Sequence, residues 1–298
     1  MGIASTVRRP LIVKALALLM VALCAVAGAY WARRQAAEIR LVAKTVQLDG
    51  YALSVWDDGA GQPALVIEAG LACTKDLYER LHFDLSKRVR TITYDHAGIG
   101  ASTPSANPRT LPSYVKELRE LLAKLKVPPP YILVGHSLGG HIIRYYAHLH
   151  PQEVAGLVFI DHPHEDWFKH IRQTWPKDVA DKYFEWWTPE GSTYKGVALT
   201  ELLEYEHNCD LVRGILPPKD IPVLMFTANN EPHYQPGEIA RDQRKWAELQ
   251  ASLIAHVQDA KHIVDWEIGH VGYREKPEMF AREIGAFIDK VAARAPEP

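Results

Sequence analysis

Short apolar runs alternate with longer amphipathic segments along most of the chain. Residues 111–126 place leucine and valine at helical spacing with charged side chains on the opposite face, which predicts a helix. The apolar runs have the length of single strands, and they are Ala64–Glu68, Val89–Tyr94, Tyr131–Val134, Gly156–Ile160, Pro222–Thr227 and His262–Trp266. Strands that alternate with helices predict an α/β fold, in which a mostly parallel, doubly wound sheet is covered by helices on both faces.

The pattern departs from this alternation at the start of the folded body. Two strand-like runs, Leu41–Leu48 and Tyr51–Trp56, are separated by Asp49-Gly50. Asp-Gly between two such runs is a strong signal for a tight hairpin turn. We therefore expect two antiparallel strands at one edge of the sheet.

A second departure lies between the run that ends at Ile160 and the run that begins at Pro222. This segment, which we bound at about residues 162–220, predicts a helical cap inserted over the carboxyl ends of the strands, where open α/β sheets bind ligands. Its rings would line an apolar pocket or simply attach the cap to the body. They are Trp167, Phe168, Trp175, Tyr183, Phe184, Trp186, Trp187 and Tyr194.

An apolar stretch near the N-terminus stands apart from the body. It runs from about Ala15 to Tyr30 and is flanked on both sides by pairs of arginines. Counted from Leu11 it reaches about 20 residues, close to the ~20 that span a bilayer, and its small-residue end is also typical of a signal-peptidase site. Residues 1–40 are therefore expected to be a membrane anchor or a cleaved signal with a linker, and the body at 41–294 to face the exported side. Residues 295–298 form a short tail.

Charge and composition narrow the choice of partners. The 298 residues carry a formal net charge of −2 and no basic block follows the first 40, so nucleic-acid binding has no electrostatic support. The three cysteines, Cys24, Cys73 and Cys209, have neither metal-ligand spacing nor the number of a disulfide scaffold, although Cys73 and Cys209 could pair in an oxidising compartment. No metal, flavin or nucleotide motif is visible, so we expect no cofactor. The sequence does not indicate an oligomeric state.

The motif that carries chemistry follows directly after the run Tyr131–Val134. It reads Gly-His-Ser-Leu-Gly-Gly over Gly135–Gly140, a G-x-S-x-G pentapeptide between a predicted strand and a predicted helix. A serine nucleophile in such a sharp turn needs neighbours with almost no side chain, and the amides that open the helix point to where negative charge would develop. This context favours Ser137 as a nucleophile over a serine that merely occupies a glycine-rich turn.

From about Val42 to Val291 the chain resembles the α/β-hydrolases, whose motifs occur here in the same order. Glu68–Leu71 stands after a strand where that family usually has His-Gly-x, and the match implies that the Leu71 and Leu138 amides form an oxyanion hole. Tyr94–Ser102 resembles the family's D-R-x-G-x-G-x-S turn, with a histidine in the place of arginine. For this turn the resemblance implies a structural role.

The resemblance also selects one of the 14 histidines as the base. His270 lies between the last predicted strand and the final helix, which is the family's position for the catalytic histidine. His136 precedes the nucleophile, and we expect it to line the pocket at most. His162 and His164 stand in an H-x-H-E-D pattern, which is weak evidence for a metal site without a distant partner and more typical of a solvated cap hinge.

Two carboxylates compete for the role of the acid that orients the histidine. Glu231 occupies the commonest acid position of the fold, whereas Asp161 ends the preceding strand, the other position that the fold uses. The chain most resembles a serine-hydrolase branch through Tyr94–Gly100, Leu157–His164 and Trp246–Gln250, and that branch often lacks an acid at the later position. The resemblance therefore favours Asp161, and Glu231 remains the alternative.

These residues together imply a serine hydrolase that cleaves carboxylic esters of small to medium apolar substrates through an acyl-enzyme. A serine nucleophile argues against dehalogenase and epoxide-hydrolase chemistry, for which the same fold uses aspartate. Two alternatives stay open: a proline-iminopeptidase-like hydrolase, in which Glu204 and Glu206 of the cap would hold a substrate amine, and a non-catalytic relative that only binds a ligand. The expected partners are a small-molecule ester and, through the N-terminal segment, a membrane.

Overall fold

An eight-stranded sheet runs through the computed structural model, which describes residue 39 and residues 41–228 and 243–294. The strands are β1 (Lys44–Gln47), β2 (Ala52–Asp58), β3 (Ala64–Glu68), β4 (Thr91–Tyr94), β5 (Tyr131–His136), β6 (Val154–Ile160), β7 (Val223–Ala228) and β8 (Ala260–Asp265). The helices are α1 (Glu79–Ser86), α2 (Leu111–Lys124), α3 (Leu138–Leu149), α4 (Trp167–Thr174), α5 (Lys177–Glu185), α6 (Gly196–Leu203), α7 (Tyr205–Val212), α8 (Gln243–Ile254), α9 (Gly272–Glu275) and α10 (Pro277–Ala292), with 3-10 helices at Lys75–Tyr78 and Pro151–Glu153.

The strand order puts the hairpin at one edge of the sheet and the strand before the G-x-S-x-G motif near its centre. The order is β1-β2-β4-β3-β5-β6-β7-β8. β1 pairs with β2, and β2 with β4, in antiparallel fashion, whereas the other neighbouring pairs are parallel. The predicted hairpin and the predicted, mostly parallel sheet are therefore confirmed.

Apolar side chains fill the space on both faces of the sheet. Leu133 of β5 lies in one layer and Val134 in the other, because successive side chains of a strand point to opposite faces. The first layer packs against α2 and α3, and the second against α1 and α10. Strands buried on both faces must be apolar at nearly every position, which is why they stand out in the sequence.

Helices α4 to α7 lie between β6 and β7 and form the predicted cap insertion. Their rings join Leu138 and Ile142 of α3 in a third apolar cluster. Many of these rings meet edge to face, as Phe168 and Trp187 do with their centroids 4.6 Å apart. The aromatic residues thus attach the cap to the body, and several of the same rings also line a cavity.

Some of the sequence predictions concern residues outside the described ones. These are the N-terminal anchor or signal, the alternative acid Glu231, and the tail at 295–298. Among the helices of residues 41–228 and 243–294, none combines the length and the hydropathy that crossing a bilayer requires. Cys73 and Cys209 are both free thiols, so the disulfide that they could have formed is not present.

Candidate active site

Ser137 occupies the sharp turn between β5 and α3. Its backbone has φ 52° and ψ −118°, a region that residues with a side chain rarely adopt. A Cβ atom on Gly135 would lie 2.5 Å from the Gly139 carbonyl oxygen, and one on Gly139 would collide with the Glu68 carbonyl. The two glycines of the motif are therefore required because the strand, the turn and the loop after β3 approach one another so closely.

The strained Ser137 backbone is fixed by hydrogen bonds on both sides. Its N–H donates to the Ile160 carbonyl at 3.1 Å, and its own carbonyl accepts from His162 Nδ1 at 3.3 Å. Arg144 Nη1 lies 3.4 Å from His162 Nε2, which must accept, so the Nδ1 position carries the proton. His162 is fully buried, and the prediction of a solvated hinge at this residue is wrong. Burial, His141 and Arg144 all lower the pKa of His162.

The predicted base and the preferred acid are in direct contact. His270 Nδ1 lies 2.6 Å from Asp161 Oδ2. The other carboxylate oxygen of Asp161 accepts three hydrogen bonds, from the Ala228 amide at 3.1 Å, Trp246 Nε1 at 2.7 Å and Gln250 Nε2 at 3.0 Å. Asp161 is buried, so these donors hold a carboxylate that water does not solvate.

Two of the side chains that donate to Asp161 belong to a sequence motif to which no function had been assigned. Trp246 and Gln250 begin and end the Trp-x-x-Leu-Gln segment, and their spacing of four residues puts them on one face of α8. In the sequence this segment shows only a resemblance to a family motif, and it does not indicate that both side chains donate to Asp161. The signal that could have found them is the pair of buried donor side chains at helical spacing.

The two predicted oxyanion donors belong to two different segments of the chain. The Leu71 amide belongs to the loop after β3, and the Leu138 amide is the first of α3. Neither amide makes a hydrogen bond within the described part of the chain. Such amides at a helix N-terminus or in a tight loop can stabilise negative charge on a ligand.

Ser137 and His270 line the same cavity, whose volume is about 200 Å³. None of the described residues that line it is an aspartate, glutamate, lysine or arginine. Glu204 and Glu206, which the iminopeptidase alternative requires, are not among them, and Glu206 instead pairs with Arg172. The lining consists of Gly70, Leu71, Cys73, His136, Ser137, Pro163, Trp167, Phe168, Trp175, Tyr183, Trp186, Trp187, Tyr194, Tyr205, Trp246, His270 and Val271.

Comparison with known proteins agrees with this architecture. The family model described as the α/β hydrolase fold matches residues 63–209. The chain belongs to the α/β-hydrolase fold. The uncharacterized protein YqjL of Bacillus subtilis is 35% identical over 119 residues, which are 40% of this chain and 47% of that protein. The chain therefore spans less than half of this curated relative.

Solved structures extend the likeness over most of the chain. A haloalkane dehalogenase from Bradyrhizobium elkanii superposes with a TM-score of 0.65 at 14% identity, over 85% of this chain and 98% of that one. A putative lipase from Acinetobacter baumannii superposes with a TM-score of 0.60 at 18% identity, over 86% of this chain and 93% of that one. At these identities the likeness concerns the α/β-hydrolase fold alone.

His136, expected only to line the pocket of this α/β-hydrolase, also bridges two neighbouring segments. Its Nε2 lies 2.9 Å from the His270 carbonyl oxygen and its Nδ1 lies 2.8 Å from the Tyr78 hydroxyl. A carbonyl can only accept, so Nε2 carries the proton and Nδ1 accepts from Tyr78. Burial, followed by the neighbouring His270, lowers the pKa of His136 to about 3 and keeps the ring neutral.

His96, the histidine in the place of the family's arginine, lies between two buried carboxylates. Its Nε2 is 3.1 Å from Glu68 Oε2 and its Nδ1 is 3.4 Å from Glu201 Oε1. Burial alone would lower the pKa of His96, but Glu201 and Glu68 together outweigh that effect and raise the pKa to about 10. His96 is therefore an imidazolium at neutral pH, held between the two carboxylates.

These opposite pKa shifts predict that His136 and His96 titrate at widely separated pH values. In NMR titrations of the ring Cε1–H signals, His136 should remain neutral from pH 4 upwards, and His96 should remain an imidazolium at pH 7 and lose its proton near pH 10. Because the folded pKa of His96 is raised, its contribution to the free energy of unfolding is complete below about pH 6.5 and is lost as the pH approaches 10. In urea unfolding, His96→Gln should therefore reduce the decrease in the free energy of unfolding at alkaline pH. Titration of both rings between pH 6 and 7 would contradict this electrostatic arrangement.

Proposed function

We propose that this α/β-hydrolase cleaves carboxylic esters of small to medium apolar substrates through an acyl-enzyme on Ser137. The observation that carries the proposal is the Asp161–His270 contact of 2.6 Å, together with a serine that occupies a strained turn and lines the same cavity as His270. Strain at such a residue persists only where the surrounding structure fixes it, and it clusters at functional sites. The two amides without hydrogen-bond partners among the described residues support the same chemistry.

The proposed reaction proceeds in two steps. Ser137 Oγ adds to the ester carbonyl carbon while its proton passes to His270 Nε2, and the Leu71 and Leu138 amides bind the oxyanion. The carbon–oxygen bond to the alcohol then breaks, and the alcohol leaves with the proton from His270. A water molecule then attacks the carbonyl carbon of the acyl-enzyme in the same way, which releases the carboxylic acid and restores Ser137. Asp161 orients the ring by accepting from Nδ1–H, so that Nε2 is the basic nitrogen.

The cavity favours an uncharged substrate. A carboxylate or an ammonium group would enter an aromatic site in which no described side chain of opposite formal charge could pair with it, and burying an unpaired charge is costly. The same consideration weighs against an iminopeptidase, which needs a partner for the substrate amine. Retention of the serine, the histidine and a contacting acid also weighs against a relative that only binds a ligand.

The N-terminal segment enters the proposal on sequence grounds alone. We propose that residues 1–40 anchor or export the chain, with the hydrolase body on the exported side. The apolar stretch and its flanking arginines support this assignment.

Removal of the proposed nucleophile should abolish covalent labelling and turnover together. Ser137→Ala should lose fluorophosphonate labelling and reduce the hydrolysis of p-nitrophenyl butyrate by several orders of magnitude, because no other group would attack the carbonyl. The matched control is Ser252→Ala, which changes an exposed serine of α8 and should leave both readouts unchanged. Labelling that persists in Ser137→Ala would assign the nucleophile to another residue.

Amide substitutions should separate the two candidate acids. In Asp161→Asn the side-chain oxygen can keep its three donors, so the NH₂ group faces His270 Nδ1 and forces that nitrogen to accept. The ring then carries its proton on Nε2 and cannot act as the base, which should reduce kcat about 10⁴-fold. Glu231→Gln should lose far less. A folded, active Asp161→Asn together with an inactive Glu231→Gln would transfer the role to Glu231.

The size and polarity of the cavity predict the substrate range. A cavity of about 150 Å³ can hold benzene, so a cavity of about 200 Å³ should accept short acyl chains or a single ring. We expect p-nitrophenyl acetate and butyrate to be hydrolysed at least tenfold faster than the palmitate, and prolyl p-nitroanilide not to be cleaved. Trp187→Ala should move the optimum towards longer chains because it removes a lining ring. Equal rates on butyrate and palmitate would show that the cavity does not select the acyl group.

A further inference from the structure

Three consecutive amides follow β3, and the middle one is the proposed oxyanion donor. The Gly70 N–H donates to the Tyr78 hydroxyl at 2.9 Å, and the Ala72 N–H donates to Glu201 Oε2 at 2.8 Å. The Leu71 amide between them makes no hydrogen bond within residues 41–228 and 243–294. Both flanking amides are thus fixed by buried side chains, and the middle amide remains available to a ligand.

Tyr78 connects this loop to the two other segments of the site. Because its hydroxyl accepts from Gly70, its single proton can be donated to His136 Nδ1 at 2.8 Å. His136 in turn donates from Nε2 to the carbonyl oxygen of His270 at 2.9 Å. One unbroken series of hydrogen bonds therefore runs from the oxyanion loop through the nucleophile turn to the backbone of the base.

Glu201 connects the same loop to the cap. It lies on α6 and is fully buried, and its second oxygen accepts from the Tyr114 hydroxyl at 2.8 Å. Ala72, which Glu201 holds, has φ 56°, a left-handed conformation that is unfavourable for alanine. The position of the loop thus depends on a carboxylate that a separate part of the chain supplies.

We propose that Tyr78 and Glu201 are positioning residues of the oxyanion hole, and that they hold the amides on both sides of Leu71 so that its N–H meets the developing negative charge. This inference rests on the proposed ester hydrolysis. Neither residue lines the cavity, so neither touches the substrate. The negative charge develops only in the transition state, so loss of either residue lowers kcat and leaves KM nearly unchanged.

The first test compares two tyrosines whose rings are stacked 4.9 Å apart. In the full-length protein, Tyr78→Phe should reduce kcat for p-nitrophenyl butyrate about 10- to 100-fold with KM within about twofold, because a small displacement of a donor has a cost of that order. Tyr273→Phe is the matched control. Among the described residues its hydroxyl makes no hydrogen bond to the loop at residues 70–72 or to His136, so its removal should change kcat less than twofold.

The second test compares two buried glutamates of the same region. Glu201→Ala should reduce kcat about 10- to 100-fold, and Glu201→Gln should recover much of that loss because its amide oxygen can still accept from Ala72. Glu117→Ala is the control. Glu117 is equally buried, accepts from the Ala97 amide at 3.3 Å and pairs with Arg109, but it has no contact with the loop at residues 70–72.

The outcomes separate this inference from the proposed function. Absence of ester turnover in the wild-type protein would contradict the proposed function itself. Wild-type activity together with unchanged kcat in Tyr78→Phe and Glu201→Ala would overturn only the positioning role. Losses of equal size in Tyr273→Phe and Glu117→Ala, or losses confined to KM, would also overturn it, because general loosening would then explain them. Thermal unfolding verifies that each variant is folded. If Glu201→Ala does not fold, the comparison of Tyr78→Phe with Tyr273→Phe alone tests the positioning role.

Discussion

The turn at Ser137 is the constraint on which the rest of the site depends. A residue with a side chain in this conformation costs about 1–3 kcal/mol, and the cost is tolerated only where neighbouring elements determine the backbone. Here the N–H and the carbonyl of Ser137 are both fixed, by β6 and by His162 respectively. The same turn brings Gly139 against the end of β3 and the loop after it, so one local geometry sets the positions of the proposed nucleophile and of both candidate oxyanion amides.

The buried ionised groups of the candidate site have charged or hydrogen-bonding partners within the fold. Among the described residues, one oxygen of Asp161 accepts from the Ala228 amide, Trp246 and Gln250, and the other contacts His270. His136, which lines the cavity, is kept neutral, and the cationic His96 lies between the carboxylates of Glu68 and Glu201. Removing one partner from a buried ion pair typically costs about 3–5 kcal/mol, so these groups stabilise the site only as complete sets.

The sequence predicted the sheet, the hairpin and the cap because each leaves a local pattern in the chain. The Ser137 turn was visible for the same reason, since its glycines must be adjacent in sequence. His270 and Asp161 depended on family resemblance, because they lie far apart along the chain and only the fold brings them together. Tyr78 and Glu201, which accept hydrogen bonds from the amides of the oxyanion loop, are marked neither by a local pattern nor by a family motif. Glu201 is one glutamate among many on an amphipathic cap, and nothing local shows that it reaches Ala72 across 129 positions of the sequence.

The aromatic rings of the cap have both of the roles that the sequence left open. They attach the cap to the body, and they also line the cavity. Phe168 packs edge to face on Trp187, and both rings also border the cavity. A cap that only covered the cavity could pack through apolar contacts alone, which are tolerant of small shifts. A buried carboxylate on α6 has a different effect, because a hydrogen bond weakens steeply with misalignment. Glu201 therefore ties the cap to one orientation over the body, and the aromatic rings then enclose the cavity in a fixed geometry above Ser137.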